Sequence, residues 1–202
     1  KPPMGVFPST GWISGLGCVA FYTFPEQSGN LTYDLINYPK GSNGTLTGMA
    51  NPSTLVSGWH GDGLSFDSTN DYINIVSPII SQAMNTLKFS IGIWLKPNVL
   101  STNRYIFEQG RDTLGYKTII LTLHATNIII FTAYDNDSEI MKVSNIPYTD
   151  ITNFHNIFVT SDGTTAKVYL DGYLMGSDTW DNGYVLTKNN FYIGSSASAT
   201  DG

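Results

Sequence analysis

A single cysteine, Cys18, among 202 residues leaves the chain unable to form an internal disulfide. It sits in the apolar run Cys18-Val19-Ala20-Phe21-Tyr22, which reads as the setting of a buried, inert thiol. Charge is scarce too: 13% of residues are charged, only ten are Lys or Arg, and the net charge is −6. Nucleic acid needs clustered cations along a phosphate backbone, so this balance argues against it as a partner. No apolar run approaches the roughly 20 residues of a membrane-crossing helix. The three histidines, His60, His124 and His155, are too scattered to form a metal-binding spacing. No G-x-S-x-G turn is present to expose a nucleophile.

What remains is an apolar fraction of 41%, enough for a sizeable core, and a surface that must rest on Ser, Thr, Asn and Gly. Such a surface suits neutral polar ligands such as glycans, or cations. The most legible stretch runs from Phe154 to Gly172. Ile157 and Val159 alternate with Phe158 and Thr160, and Asp162-Gly163 then supplies a tight turn. A second alternating run, Ala166 to Leu170, ends at another turn, Asp171-Gly172.

The rest follows the same grammar. Lys1 to Ser14, with three prolines, reads as an extended arm, and Gly17 to Phe24 as the first strand. Pro25 to Gly44 reads as a long polar loop, and Gly63–Asp67 and Tyr72–Val76 as two short strands. Pro78 to Asn85 is the one expected helix. Lys88 to Lys96 places Phe89, Ile91, Ile93 and Leu95 on one face, with Ser90, Gly92 and Trp94 on the other. Segments 105–107, 117–123, 128–134 and 139–143 continue a series punctuated by turns, the spacing of an all-β domain.

The Phe154–Gly172 pattern resembles the strand, Asp-Gly-Thr, strand, Asp-Gly signature of laminin-G-like modules in the concanavalin A-like lectin/glucanase superfamily. Further matching pieces are the run Gly17–Phe24, Asn43–Leu46, Leu64–Asp67 with Asn70–Ile73, Phe89–Pro97 and Phe191–Gly194. The resemblance implies an antiparallel jelly-roll β-sandwich over residues 15–202, preceded by the arm at 1–14. Members of the family usually continue past the last of these pieces into a closing strand, whereas this chain stops at Asp201-Gly202. The favoured expectation is that a longer polypeptide supplies that strand, the alternatives being a strand from the N-terminal arm or from a neighbouring subunit.

Glucanases of the superfamily align two Glu and an Asp along one strand. This chain has only Glu26, Glu108 and Glu139, and Asp137, two residues from Glu139, falls in a polar turn. The chain is therefore expected not to be an enzyme. Calcium fits better. The loop 109–115 and the turn Asp135-Asn136-Asp137 lie at one end of an expected hairpin, where Asp112, Asp135 and Asp137 offer hard oxygen ligands. Laminin-type modules often hold calcium at a comparable rim, which puts Asp112 first. The competing reading is plain turn chemistry with solvated side chains. A second cation site of glucanase type would use Asp34 or Asp67.

Aromatic residues in loops are the other candidates, because an indole or phenol ring covers the C–H face of a sugar. Trp59 lies among glycines, Trp180 and Tyr184 flank Asp181-Asn182-Gly183, and Tyr134 borders the acidic turn. Trp94, in the most regular strand, is expected to be packed. The resulting expectation is a non-catalytic, extracellular or surface-exposed recognition module for glycans or glycosylated surfaces, assisted by calcium. The alternative is a structural decoration or adhesion domain of a virion or cell-surface assembly, held by contacts with neighbouring subunits.

Overall fold

The computed structural model describes residues 17–24, 29–36, 41–49, 55–59, 61–67, 69–98, 102–110, 117–136, 138–181 and 189–195. Fourteen strands and one helix are found among them. The larger sheet contains β1 (Leu31–Thr32), β2 (Gly44–Thr47), β5 (Tyr72–Val76), β7 (Arg104–Gln109), β8 (Thr118–His124), β9 (Ile128–Asp135), β10 (Ser138–Pro147) and β14 (Asn190–Ile193). Their spatial order is β1-β2-β5-β14-β7-β8-β9-β10, with every pairing antiparallel. The smaller sheet has the order β13-β12-β11-β6, from β6 (Lys88–Leu95), β11 (His155–Asp162), β12 (Thr165–Leu170) and β13 (Tyr173–Thr179). A separate hairpin joins β3 (Leu55–Ser57) to β4 (Asp62–Leu64). This is the antiparallel β-sandwich with one short helix that the sequence predicts.

The core lies between the sheets, and register explains why. Ile75, Phe191, Gln109, Ile119, Ala133 and Met141 face one another across six strands of the larger sheet. A parallel row runs Ile73, Ile193, Phe107, Leu121, Phe131 and Val143. Ile157 and Val159 of β11, with Ala166 and Val168 of β12, close over the core from the smaller sheet. On one flank the layers touch directly. Gly176 of β13 has no room for a side chain, since a Cβ would stand 2.8 Å from Val143 Cγ1. There Asp178 Oδ2 accepts the Lys142 amide at 2.8 Å, and the Asp181 amide donates to the Ile140 carbonyl. On the other flank, the inward side chains Phe89, Ile91, Ile93 and Leu95 of β6 are only half-buried. Among the described residues, β11 is the one strand paired with β6.

The helix α1 (Pro78–Asn85) matches its predicted bounds. Ser77 caps it, its hydroxyl accepting the Ile80 amide at 3.2 Å, and Pro78 fills the first turn, where its missing N–H costs nothing. Ser81 on its buried face receives a hydrogen bond from Gln109 Nε2 at 2.9 Å, which satisfies that donor inside the core.

Three expectations need correction. Residues 18–24 form no regular strand; Ala20, Tyr22 and Phe24 pack on the core, but no ladder pairs their backbone among the described residues. The polar loop expected over 25–44 contains β1 and ends in β2, both held by pairing: β1 with β2, and β2 with β5. The strand expected over 63–67 is shorter and shifted, Asp62–Leu64.

Candidate functional site

The β3–β4 hairpin presents Trp59 at its tip. Its turn closes through the Gly58 amide donating to the Gly61 carbonyl at 2.8 Å. Gly61 has φ +88°, a conformation that favours glycine. Strand alternation turns Trp94 of β6 outward, because Ile93 and Leu95 on either side face the core. The two indoles meet there, ring centroids 4.8 Å apart and planes within 9°. Trp59 is 51% and Trp94 45% exposed, so the pair is stacked yet open to solvent. Trp94 is thus not packed in the interior, contrary to expectation.

Gly92 shapes the neighbouring surface. A Cβ at this position would lie 2.8 Å from the ring of Phe158, so glycine is what lets Phe158 lie across β6. Phe158 remains 39% exposed. Trp59, Trp94 and Phe158 therefore line the outer face of the smaller sheet. Stacking holds the indoles in one orientation before any ligand arrives, which lowers the entropy lost on binding.

The other candidates from sequence are placed differently. Trp180 is half-buried against the core, its indole N–H donating to Ser161 Oγ at 2.9 Å. Tyr134 is half-buried near the end of β9. Beside it, Asp135 pairs with Lys117 at 3.4 Å and accepts a hydrogen bond from Asn136 Nδ2 at 2.8 Å. Tyr184, Asp112 and Asp137 lie outside the described residues. Among the described residues, no group of three or more His, Cys, Asp or Glu is placed to hold a metal.

Asp34 is fully buried and serves the backbone. Its Oδ1 accepts the amides of Phe21 at 3.1 Å and Ile36 at 3.0 Å, and its Oδ2 accepts that of Ser42 at 3.1 Å. Asp67 Oδ1 accepts the amide of Thr69 at 2.8 Å in an exposed turn. Burial pushes the Cys18 thiol above its ordinary range, in keeping with an unreactive sulfur. Glu108, buried on β7, accepts the Thr118 hydroxyl at 3.0 Å, while Glu139 on β10 pairs with Lys142 at 2.7 Å. Three strand spacings separate β7 from β10, roughly 14 Å, well beyond the separation of a glycosidase carboxylate pair.

His155, at the start of β11, faces carboxylates on both sides. Its Nδ1 hydrogen-bonds Asp171 Oδ2 at 2.6 Å, and its Nε2 lies 3.3 Å from Asp150 Oδ2 without hydrogen-bond alignment. The arrangement ties the loop before β11 to the turn between β12 and β13. The bond to Asp171 raises the His155 pKa above its ordinary 6.5, against the opposing effect of burial. Burial works to raise the Asp171 pKa, but the bonds from His155 and the Asn156 amide outweigh it and leave the value below its ordinary 3.8. The histidine's stabilisation is complete below 6.5 and disappears as pH rises through its raised folded value. That of Asp171 is complete above 3.8 and disappears as pH falls through its lowered value. His155→Gln should therefore cost more stability near pH 5.5 than near pH 8.5, with a difference under about 1 kcal/mol for so exposed a pair. Urea unfolding at the two pH values checks this, and equal losses would refute it.

With this geometry in hand, the sequence matches Laminin_G_3, of the concanavalin A-like lectin/glucanases superfamily, over residues 67–202. The chain belongs to this superfamily. The family match begins later than the resemblance read from Gly15 onward. Trp94 and Phe158 lie within it and Trp59 before it, so the aromatic surface joins a family strand to a hairpin outside the matched region.

Solved structures share the superfamily's fold. An S-layer domain-containing protein from Clostridium thermocellum aligns with TM-score 0.52 and 22% identity, covering 83% of this chain and 72% of that one. A botulinum neurotoxin type C structure, whose cell entry depends on two ganglioside molecules, gives TM-score 0.64 and 15% identity over 90% of this chain and 44% of that one. The CBM40 of a Ruminococcus gnavus IT-sialidase, bound to α2,3 sialyllactose, gives 0.50 and 10%, covering 60% and 71%. Identities this low establish the fold alone. No curated protein sequence matches the chain. No helix among the described residues is long and apolar enough to cross a membrane.

Proposed function

We propose that the chain is a non-catalytic glycan-recognition module, working outside the cell or at a surface, whose contact centres on Trp59 and Trp94. The observation that carries this reading is the stacked, near-parallel and half-exposed indole pair on the outer face of the smaller sheet. Buried aromatic residues usually make cores, whereas a rigid exposed pair offers a flat apolar surface matched to the C–H face of a pyranose ring. Two solved structures of the same fold come from proteins described with sialyllactose and with gangliosides, which lends the reading support by analogy.

Calcium enters the proposal as an assistant bound by Asp135 together with Asp112 and Asp137, the latter two lying outside the described residues. Asp135 is already neutralised by Lys117, so a cation there must compete with that ion pair.

The test is a glycan array followed by calorimetric titration of the best binder, run with calcium and with chelator. Trp59→Ala and Trp94→Ala should each weaken binding roughly 10- to 100-fold, as loss of a central aromatic contact does. Melting temperatures near that of the parent chain would show that the fold survives. Binding indifferent to both substitutions would remove the platform from the account. No binding to any glycan would move the function to the structural reading, with other subunits as partners.

A further inference from the structure

The outer face of the smaller sheet carries more than the two indoles. Register aligns Gly92, Phe158, Tyr169 and Leu174 in one row across β6, β11, β12 and β13. Phe158 is 39% and Leu174 55% exposed, and Tyr169 is half-buried between them. Trp94 pairs with Asn156, which places it diagonally beside Phe158 and within reach of it. An apolar path therefore leads from the Trp59–Trp94 corner over Phe158 and Tyr169 to Leu174, crossing the strands rather than following them. Three strand spacings make it roughly 14 Å long, far longer than one pyranose ring.

A second row runs alongside. Ser90, Thr160, Lys167 and Ser177 are in register on the same four strands, two residues along from the first row on β6, β11 and β12 and three along on β13, where the pairing with β12 is irregular. That offset is about 7 Å. Three hydroxyls and one ammonium thus border the apolar path. Neither row contains a carboxylate, and Lys167 is their only charged side chain. Asp171, at the Trp94 end, has its oxygens committed to His155 and to the Asn156 amide.

We infer that this face binds a neutral, extended glycan chain laid across the strands, with ring faces on the path from Trp59 to Leu174 and hydroxyl edges toward the Ser90–Ser177 row. The inference rests on the glycan-recognition reading and deepens it. The pattern fits a polysaccharide better than a protein partner. An apolar strip one residue wide beside a strip of hydroxyls matches the two edges of a sugar ribbon, whereas a protein interface needs a broad apolar centre. Gly92 is a specificity determinant here, since any side chain at that position displaces Phe158 from the path.

The experiment is a calorimetric series with β-1,4-linked glucose oligomers from two to six units, and sialyllactose as the charged comparison. Equatorial linkages keep both faces of each ring apolar in the β-1,4 series, so these oligomers probe the path directly. Affinity should rise roughly tenfold or more from the disaccharide to the hexasaccharide as successive rings gain stacking contacts. Phe158→Ala and Leu174→Ala, both outward-facing, should lower hexasaccharide affinity by a larger factor than disaccharide affinity. Trp59→Ala should lower both. Affinity independent of length, or unmoved by Phe158→Ala and Leu174→Ala while Trp59 still matters, overturns the extended chain and leaves glycan recognition standing. Preference for sialyllactose over every neutral oligomer overturns the neutral class. Failure to bind any of these sugars, together with a blank glycan array, overturns the functional reading as well.

Discussion

Replacing Asp34 by alanine should lower the melting temperature by roughly 10 °C. The carboxylate is fully buried and holds three backbone amides, those of Phe21, Ile36 and Ser42, at 3.0 to 3.1 Å. Residues 18–24 have no strand ladder among the described residues. Their place depends on this carboxylate, on the Leu35 amide donating to the Phe21 carbonyl, on the Tyr22 hydroxyl donating to the Ser42 carbonyl, and on packing of Ala20, Tyr22 and Phe24. Alanine removes the acceptor from three donors at once, and each buried donor left without a partner costs about 1–3 kcal/mol. Water reaching the half-buried members recovers part of this, leaving a loss of about 3–5 kcal/mol. For a domain of this size each kcal/mol moves the midpoint by roughly 2–4 °C. Asp34→Asn should fall between the parent and alanine, because its amide keeps one oxygen and turns a second donor toward the amides. Differential scanning calorimetry reads the shift. A fall smaller than about 2 °C would mean that the segment is held without the carboxylate, by the Leu35–Phe21 backbone bond and its side chains.

Phe107→Ala should be comparably damaging, for a different reason. Phe107 is 1% exposed on an inner strand of the larger sheet. Its ring stacks on Phe191 with centroids 5.2 Å apart and meets Phe131 at 6.4 Å. Truncation opens a cavity bounded by β-sheet backbone, which cannot collapse readily, at a cost of about 3–5 kcal/mol. Phe107→Leu keeps most of the volume and should cost about half as much or less. Because Phe107 faces the core from the opposite layer, folded Phe107→Ala should retain the glycan affinity of the parent. Chemical unfolding followed by titration below the melting range measures both properties. Loss of affinity in the folded protein would place the binding surface elsewhere.

The sequence revealed elements whose stability is local and obscured those that depend on distant pairing. The turns at Asp162-Gly163 and Asp171-Gly172 could be read from their dipeptides. Gly163 has φ +97°, Asp171 +51° and Gly172 +84°, conformations these residues tolerate. The helix could be read from Ser77, Pro78 and the apolar Ile80 and Met84. β1 and β2 could not, because they are short and polar and take their form from β5. Gly44 of β2 lies so close to Ile73 that a Cβ would stand 2.5 Å from its side chain. Residues 18–24 show the opposite case, strand-like alternation without a ladder among the described residues. At the candidate site, parity had already turned Trp94 away from Phe89, Ile91, Ile93 and Leu95. Ring size suggested burial, but position along the pleat decided the outcome. That Trp59 would meet Trp94 could not be read at all, since contact between a hairpin tip and a distant strand leaves no local pattern.

The unequal flanks of the sandwich bear on how it moves. Along β10 and β13 the layers are stitched by Gly176 against Val143 and by backbone bonds to Asp178 and Ile140. Along β6 the inward side chains remain half-buried. Thermal opening should begin at β6, so its amides should exchange hydrogen for deuterium sooner than those of β12. A ligand lying from Trp94 to Leu174 spans all four strands of the smaller sheet, from the loose edge to the stitched one. Occupancy would then slow exchange in β6, and by reciprocity whatever braces β6 would tighten the grip on the ligand.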